Sequence, residues 1–318
     1  MKCIAIVGPT ASGKTALSIA LAKRLGGEIL SCDSMQIYRG MDIGTAKATP
    51  EEQAACPHHL LDLADPDTPF SAADYADAAM VALRDIHARG RLPIFCGGTG
   101  LYLDAVRTLR HKGEAPAPDP ALRERLQEEA KTEEGQRRLW ETLREIDPEA
   151  AEATHYHNVR RVTRALEIFY TTGKTKTEID RAASRKNPEV EMLIFGLRFV
   201  SRATLYARID KRVDLMMEQG LLEETKRLLA LGALDEGGTA AQAIGYKELL
   251  GYLRGEHSLE EATTQLKTAS RRYAKRQMTY FGREPAIHWI TIDMGDTIRD
   301  TDSLLQELLP QIDTFLST

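Results

Sequence analysis

Cysteine is scarce in this chain, with four residues scattered over 318 and no CxxC pair among them. That spacing argues against a disulfide framework and against a structural zinc site. Long apolar runs are lacking too, because no segment approaches the roughly 18 residues that a membrane span needs, and the mean hydropathy is -0.34. The first apolar run leads into a glycine motif without a cleavage site, which predicts a core strand and not a signal peptide. These absences favour a globular protein of the reducing cytoplasm.

A strong charge of one sign is absent as well, because 42 basic and 47 acidic side chains leave a net charge of -5. The charges are nevertheless uneven. Residues 155–186 hold eight basic and three acidic side chains, and residues 267–283 hold six basic and no acidic ones. Basic clusters inside a mildly acidic chain suit a polyanion that docks in one cleft. Solvated helix faces would produce the same clusters, so composition leaves both interpretations open.

Short apolar segments alternate with amphipathic ones in the first hundred residues. The apolar segments predict strands, and those with 3.6-residue apolar spacing predict helices. The strands are predicted at residues 2–8, 28–34, 57–62 and 92–98, and the helices at 15–26 and 71–90. Strands that alternate with helices predict a parallel sheet with right-handed crossovers.

The composition changes near residue 113. A Pro-rich connector, GEAPAPDP (113–120), precedes a charged segment with helical character and no strand signal. Further along the chain, strands are predicted at 191–199 and 288–293, and long helices at 203–231 and 258–281. We therefore predict an α/β core formed by residues 1–112 and 187–318, with a helical insertion at 113–186.

The segment GPTASGKT matches the pattern GxxxxGK[ST] between a predicted strand and a predicted helix. In such a loop, backbone N–H groups and the positive end of the helix dipole bind phosphate oxygens. Lys14 adds a positive charge, and Thr15 adds a hydroxyl that can bind Mg²⁺. The predicted site for a diphosphate or triphosphate consists of Gly8, Pro9, Thr10, Ala11, Ser12, Gly13, Lys14 and Thr15.

The sequence lacks one carboxylate that kinases with a phosphate loop of this type require. They normally carry an acid at the end of a later apolar strand, where it helps to hold Mg²⁺. The strand predicted to end near Cys96 is followed by two glycines and Thr99, with no acid before Asp104. Asp33 lies near the carboxyl end of the strand predicted at 28–34 and is the candidate carboxylate at this edge of the sheet. This departure disfavours an ordinary kinase.

Six motifs taken together closely resemble the bacterial tRNA dimethylallyltransferases, in the family's order and over about residues 4 to 290. They are GPTASGKT (8–15), DSMQIYRGMDIGTAK (33–47), GGTGLY (97–102), RRVTRALE (160–167), AIGYKE (243–248) and YAKRQMTYF (273–281). The family transfers the dimethylallyl group of dimethylallyl diphosphate to N6 of the adenine at position 37, just 3′ of the anticodon. The resemblance implies a fold like that of P-loop NTPases, the use of Mg²⁺, and binding of a tRNA anticodon stem-loop by the helical insertion. We expect a monomer.

The resemblance also implies roles for individual residues. Adenine N6 is a poor nucleophile, so the reaction needs a base to remove its proton and donors that stabilise the departing diphosphate. Asp33 matches the family's base, Thr99 a residue near donor and acceptor, and Arg212 a diphosphate ligand. The residues implied to contact tRNA are Asp33, Ser34, Met35, Gln36, Thr99, Arg123, Arg160, Arg161 and Arg164. Among them, Gln36 is the candidate for reading a base edge.

Each of these roles has a plain structural alternative. Asp33 could cap a helix or order Mg²⁺, and Thr99 could cap a helix. Arg212 could form a surface ion pair with Asp210 or Asp214, and the other arginines could belong to solvated helix faces. The apolar stripe of Leu205, Ile209, Val213 and Met217 leaves Arg208 and Arg212 on one flank of their predicted helix. Other functions also stay open at this point, namely transfer to free AMP or ADP, a P-loop small-molecule kinase, and an RNA-binding module with a relic phosphate loop.

Overall fold

A computed structural model describes residues 1–108, 119–183, 185–235, 238–295 and 297–318. The chain divides into two compact units, one formed by Met1–Arg107 with Pro188–Thr318 and the other by Thr108–Asn187. The predicted boundary between residues 112 and 113 lies outside the described residues, as does the connector up to residue 118. The second boundary falls after Asn187, one residue from the predicted position.

The first unit is built on a parallel sheet, which in the described part of the chain has six strands. The strands are β1 (Lys2–Val7), β2 (Gly27–Cys32), β3 (His58–His59), β4 (Leu92–Gly97), β5 (Glu191–Arg198) and β6 (Ile287–Thr291). Their lateral order is β3-β2-β4-β1-β5-β6, with every neighbouring pair parallel. A separate antiparallel pair consists of β7 (Asp293–Met294) and β8 (Thr297–Ile298).

Helices connect these strands and form the second unit. In chain order they are α1 (Lys14–Leu25), α2 (Pro50–Ala55), α3 (Ala72–Ala88), α4 (Gly100–Arg107), α5 (Pro120–Glu129), α6 (Glu133–Ile146), α7 (Pro148–Glu152), α8 (Val159–Thr172), α9 (Lys176–Ala183), α10 (Arg202–Glu218), α11 (Leu221–Ala230), α12 (Tyr246–Leu253), α13 (Leu259–Phe281) and α14 (Thr301–Ser317). No helix in the described ranges has the length and apolar character that crossing a bilayer requires.

Both faces of the sheet are covered, as β1 shows. Successive side chains of a strand point to opposite faces. Ile4 and Ile6 pack into the cluster that contains α1 and α14, whereas Ala5 and Val7 pack into the cluster that contains α3. All four are at most 1% exposed. The predicted parallel sheet flanked by helices is therefore confirmed, because a continuous apolar strand of this kind needs helices on both faces.

Two predicted elements differ from the structure. The strand predicted at 57–62 has only two residues, because Leu60 and Asp62 adopt φ values of 64° and 55°, which are incompatible with an extended strand. The helix predicted at 203–231 is two helices, α10 and α11, with a turn at Gly220 between them.

Between Pro120 and Ala183 the described residues of the second unit form five helices, α5 to α9, joined by turns. An antiparallel bridge between Thr108 and Lys186 joins its two ends. Its core is a small apolar cluster formed mainly by α5, α6 and α8, and includes Leu126, Leu139, Leu143, Val162 and Leu166. This unit therefore has a hydrophobic core of its own.

Candidate active site

The phosphate loop lies between the end of β1 and the start of α1. Gly8 has a φ of 143°, and a Cβ atom there would lie 2.7 Å from the carbonyl oxygen of Leu197 in β5, so only glycine fits this close approach. Gly13 is the N-cap of α1 and no side chain caps the helix. The Lys14 Nζ donates to the Pro9 carbonyl oxygen at 2.6 Å. The positive end of α1 is thus open toward an anion.

The carboxyl ends of three neighbouring strands meet beside this loop. Val7 of β1 and Cys32 of β2 both lie opposite Gly97 of β4. A cavity of about 290 Å³ opens there and extends to α10 and α13. It brings together these residues predicted from the sequence: Thr10, Lys14, Thr15, Asp33, Ser34, Met35, Gln36 and Arg212. Of the other predicted residues of this unit, Gly8, Pro9, Ala11, Ser12, Gly13 and Thr99 do not line it.

Asp33 directly follows β2 and lines the cavity. Its Oδ1 accepts a hydrogen bond from the Met35 N–H at 2.9 Å, which fixes the direction of the carboxylate. Burial raises the pKa of Asp33 above its ordinary value of 3.8, while the Met35 hydrogen bond and the charges of Lys14 and Arg212 act in the opposite direction. A carboxylate with a raised pKa is a stronger proton acceptor than an exposed one.

Thr99 joins the ends of two strands and is not a side-chain cap of α4. Its N–H donates to the Cys32 carbonyl oxygen at 3.1 Å, and its Oγ1 accepts a hydrogen bond from the Ser34 N–H at 3.0 Å. The Thr99 side chain therefore positions the segment that begins at Asp33, without itself lining the cavity.

Gln36 has both amide hydrogens engaged inside the protein. Its Nε2 donates to the carbonyl oxygens of Thr45 and Ala46, each at 3.1 Å, and its Oε1 accepts a hydrogen bond from the Ser31 hydroxyl at 2.7 Å. Donating a hydrogen bond to a base edge with this amide would require breaking one of its Nε2 bonds, whereas Oε1 keeps a second lone pair. In the structure, Gln36 holds the segment at residues 45–46 against the end of β2.

Helix α10 presents Arg212 to the cavity next to its buried apolar stripe. Leu205, Ile209, Val213 and Met216 are buried. Met216 thus replaces Met217, which is only partly buried, in the predicted stripe. One turn before Arg212, the Arg208 Nε donates to the Ala11 carbonyl oxygen at 2.9 Å and so fixes the phosphate loop.

The ion pairs expected as an alternative for Arg212 are absent from the described residues, because both acids have other partners. Asp210 accepts a hydrogen bond from the Arg271 Nε at 2.9 Å, and Asp214 pairs with Lys267 at 2.6 Å. The Arg212 guanidinium is therefore available to an anion in the cavity.

Comparisons with known proteins agree with this geometry. The family model described as IPP transferase matches residues 36–284. A tRNA dimethylallyltransferase from Geobacillus thermodenitrificans is 50% identical over 295 residues, 93% of this chain and 91% of the relative. One from Caldanaerobacter subterraneus is 45% identical over 310 residues, which cover 97% and 98% of the two chains.

The chain belongs to the IPP transferase family. The crystal structure of a tRNA isopentenylpyrophosphate transferase from Bacillus halodurans has a TM-score of 0.72 and 44% identity, covering 99% of this chain and 97% of that one. A eukaryotic dimethylallyltransferase acting on tRNA has a TM-score of 0.74 and 30% identity, covering 91% and 73%. The predicted resemblance and the predicted P-loop NTPase-like fold are thereby confirmed.

Five residues of α13 that received no individual role from the sequence also line the cavity of this IPP transferase. They are Leu266, Ser270, Tyr273, Arg276 and Gln277. Burial raises the pKa of the Tyr273 hydroxyl, so this group stays protonated and can donate a hydrogen bond. The acid-free basic cluster at 267–283 was the sequence signal for this helix, although it did not identify which side chains face the cavity.

The second unit divides the four arginines predicted to contact tRNA into two pairs. Glu167 is 2% exposed and accepts hydrogen bonds from Arg123 at 3.0 Å and Arg164 at 2.7 Å. Burial acts to raise the pKa of Glu167, but these two arginines lower it overall. Arg160 and Arg161 are exposed, with no acidic partner among the described residues. The structure therefore leaves Arg160 and Arg161 available to a polyanion.

The residues around the phosphate loop fit a metal that arrives with a phosphate ligand. The described residues contain no group of three or more His, Cys, Asp or Glu side chains that could hold a metal ion. Mg²⁺ usually keeps several waters and binds to one or two protein oxygens together with substrate phosphates. Thr15 supplies a hydroxyl of this kind in the cavity.

Proposed function

We propose that this IPP transferase transfers the dimethylallyl group of dimethylallyl diphosphate to N6 of the adenine at position 37 in tRNAs that read codons beginning with U, and releases diphosphate. The observation that carries this proposal is that the Asp33 carboxylate lines the same cavity as Lys14 and Arg212. A proton acceptor and an anion site thus face one cavity.

Asp33 is the group that takes the N6 proton. The adenine lone pair is delocalised into the ring, so N6 becomes a good nucleophile only as its proton leaves. The new bond joins N6 to the allylic carbon, the carbon–oxygen bond to the diphosphate breaks, and the proton goes to the Asp33 carboxylate. General-base help of this kind is worth about 10²- to 10⁴-fold in rate.

The phosphate loop and two cations stabilise the departing diphosphate. Loop N–H groups, Lys14 and Arg212 are in place before the reaction, so they stabilise the developing negative charge without further reorganisation. Burial lowers the pKa of Lys14 to about 8. A bound diphosphate favours the charged form of this lysine, because an adjacent opposite charge raises the pKa of an ammonium group.

Mg²⁺ would be held by the Thr15 hydroxyl and by the diphosphate of the donor. When bound, it supplies positive charge to the phosphate oxygens. The proton transfer and the positioning of the base do not depend on it, since Asp33 is oriented by the Met35 N–H.

The apolar wall of the cavity suits the five-carbon group. Ile209, Val213 and Met216 of α10, together with Ile244 and Leu266, line the cavity. Apolar surface excludes water, which otherwise competes with N6 for the allylic carbon. This wall also offers contact area to a branched hydrocarbon that has no polar group of its own.

The acceptor is proposed to be an RNA loop and not a free nucleotide. A base in a loop must be unstacked before it can enter a cavity, and RNA-binding proteins read such loops through exposed bases and phosphate contacts. Arg160 and Arg161 suit contacts with the phosphate backbone, as do those members of the basic cluster at 267–283 that do not pair with Asp210 or Asp214. Transfer to free AMP or ADP, or kinase activity, has no comparable observation in its favour. A cytoplasmic location and a monomeric state stay predictions.

Mass spectrometry of tRNA after incubation with dimethylallyl diphosphate and Mg²⁺ tests the proposal. We expect a five-carbon addition at the adenine next to the anticodon, and none in tRNA with another base at that position. Free AMP serves as the matched acceptor control. Modification of AMP with no modification of tRNA would overturn the proposal, and so would ATP consumption without alkyl transfer.

A further inference from the structure

The carboxamide of Gln277 connects the phosphate loop with the loop that follows β4. Its Oε1 accepts a hydrogen bond from the Thr10 N–H at 2.9 Å, and its Nε2 donates to the Gly98 carbonyl oxygen at 3.1 Å. The residue is 5% exposed. A Cβ atom at Gly98 would lie 1.9 Å from the Gln277 Nε2, so the amide fits only against a glycine.

This contact changes which N–H groups of the phosphate loop can bind an anion. Loops of this type bind phosphate oxygens through successive backbone N–H groups. Among the described residues, the N–H groups of Ala11, Ser12 and Gly13 meet no acceptor, whereas that of Thr10 is taken by Gln277. The Gln277 oxygen is itself an acceptor with partial negative charge. A phosphate oxygen at that end of the loop would lose a donor and meet repulsion.

We propose that Gln277 restricts the phosphate loop to a diphosphate by occupying the N–H group that a third phosphoryl group would need. The side chain acts through the loop backbone, so Gln277 is a positioning residue that sets the length of polyphosphate the site accepts. A loop that also bound nucleoside triphosphates well would be open to competition from them for the donor site. The inference rests on the proposed function, because it takes a diphosphate donor as the ligand to be selected.

The test compares inorganic pyrophosphate with inorganic tripolyphosphate, using the whole chain and a fixed Mg²⁺ concentration. Calorimetric titration gives the ratio of the two dissociation constants for the wild type, for Gln277→Met and for Gln277→Glu. Methionine has a similar length but no acceptor, so it frees the Thr10 N–H. Glutamate keeps an acceptor and adds a negative charge. Gln242→Met is the matched control, because Gln242 borders the same cavity without contacting the loop.

A hydrogen bond to a charged partner is worth roughly a tenfold change in affinity or more. We therefore expect Gln277→Met to improve tripolyphosphate binding relative to pyrophosphate by about tenfold, Gln277→Glu to worsen it, and Gln242→Met to leave the ratio unchanged. Loss of structure alone would weaken the binding of both ligands by the same factor and leave the ratio of their dissociation constants unchanged.

An unchanged ratio in both Gln277 variants overturns the inference. Transfer of the dimethylallyl group to tRNA, measured on the same wild-type preparation, tests the proposed function separately. Transfer with an unchanged ratio in the variants defeats only the role of Gln277. A shifted ratio without any transfer to tRNA defeats only the proposed function.

Discussion

Replacing Asp33 with asparagine separates proton transfer from binding. Asparagine keeps the oxygen that accepts the Met35 N–H at 2.9 Å, so the backbone of this segment keeps its anchor, but it cannot take a proton. The loss of general-base help corresponds to about 10²- to 10⁴-fold, or roughly 3 to 5 kcal/mol. We expect the rate constant for transfer to fall by at least about 100-fold, with little change in tRNA affinity.

The same substitution should leave the stability of the fold unchanged or increase it, although it lowers the rate of transfer. Burial raises the pKa of Asp33 above 3.8, so the ionised carboxylate is less favourable in the folded state than in the unfolded chain. Its protonated form therefore favours folding, and that contribution is lost as the pH rises through the folded-state pKa. The carboxamide of an asparagine at this position is neutral at every pH. We expect the melting temperature of Asp33→Asn at neutral pH to equal or exceed that of the wild type.

Single-turnover transfer of labelled isoprenoid to tRNA, tRNA binding and calorimetric melting together measure these effects. Asp67→Asn, at an exposed loop position, is the control and should leave all three unchanged. In the wild type, the rate of transfer should decline on acidification. This decline should occur at pH values above the ordinary aspartate pKa of 3.8. Near wild-type transfer by Asp33→Asn would refute the role of base. A lowered melting temperature with proportional loss of binding would instead indicate a structural role.

Three further predictions concern the cations and the second unit. The pKa of Lys14 is about 8, so the wild type should take up a proton when it binds diphosphate above that pH, and the Lys14→Met variant should not. Calorimetry in buffers of different ionisation enthalpy measures this uptake, and equal uptake by the two proteins would contradict the prediction. Replacing Arg160 and Arg161 with alanine should lower tRNA affinity and reduce the slope of log affinity against log salt by about 1.5, whereas the ion-paired Arg138→Ala should not; an unchanged slope in the double variant would leave those two arginines as solvated surface. Glu167→Gln should lower the free energy of unfolding by about 1–2 kcal/mol, and because its pKa is lowered in the folded state, the wild-type advantage should be lost as the pH falls through that pKa; equal denaturation midpoints at neutral pH would count against the ion cluster.

The features that could be predicted from the sequence are those encoded by neighbouring residues. The phosphate loop is a contiguous segment at 8–15, and the alternating burial of β1 follows from its unbroken apolar run. Asp33 could be identified because it directly follows a strand, and parallel strands bring their carboxyl ends to one edge of the sheet. Where the backbone departs from an extended conformation, as at Leu60, an apolar run alone gave a strand that is too long.

The contacts that could not be predicted join residues far apart in the chain. Gln277 is 267 positions from Thr10, and Glu167 is 44 positions from Arg123. A helical pattern tells which face of α13 is buried but not which loop that face meets. For the same reason the amide of Gln36 could be read as a base-recognition group, although its partners turn out to be backbone carbonyls of the protein.

The charges around the cavity explain how a phosphate loop can serve alkyl transfer. Asp33 is the only acidic side chain among the described residues that line it, against the basic side chains Lys14, Arg212 and Arg276. Cys96 stands at the end of β4, where kinases of this kind have a metal-holding carboxylate, and burial raises the pKa of its thiol, so it stays neutral. In phosphoryl transfer that second carboxylate holds the metal ion against the phosphoryl group that is being transferred. In alkyl transfer the negative charge remains on the diphosphate, so the cations that bind the donor also stabilise the leaving group, and the single carboxylate is left to act as the base.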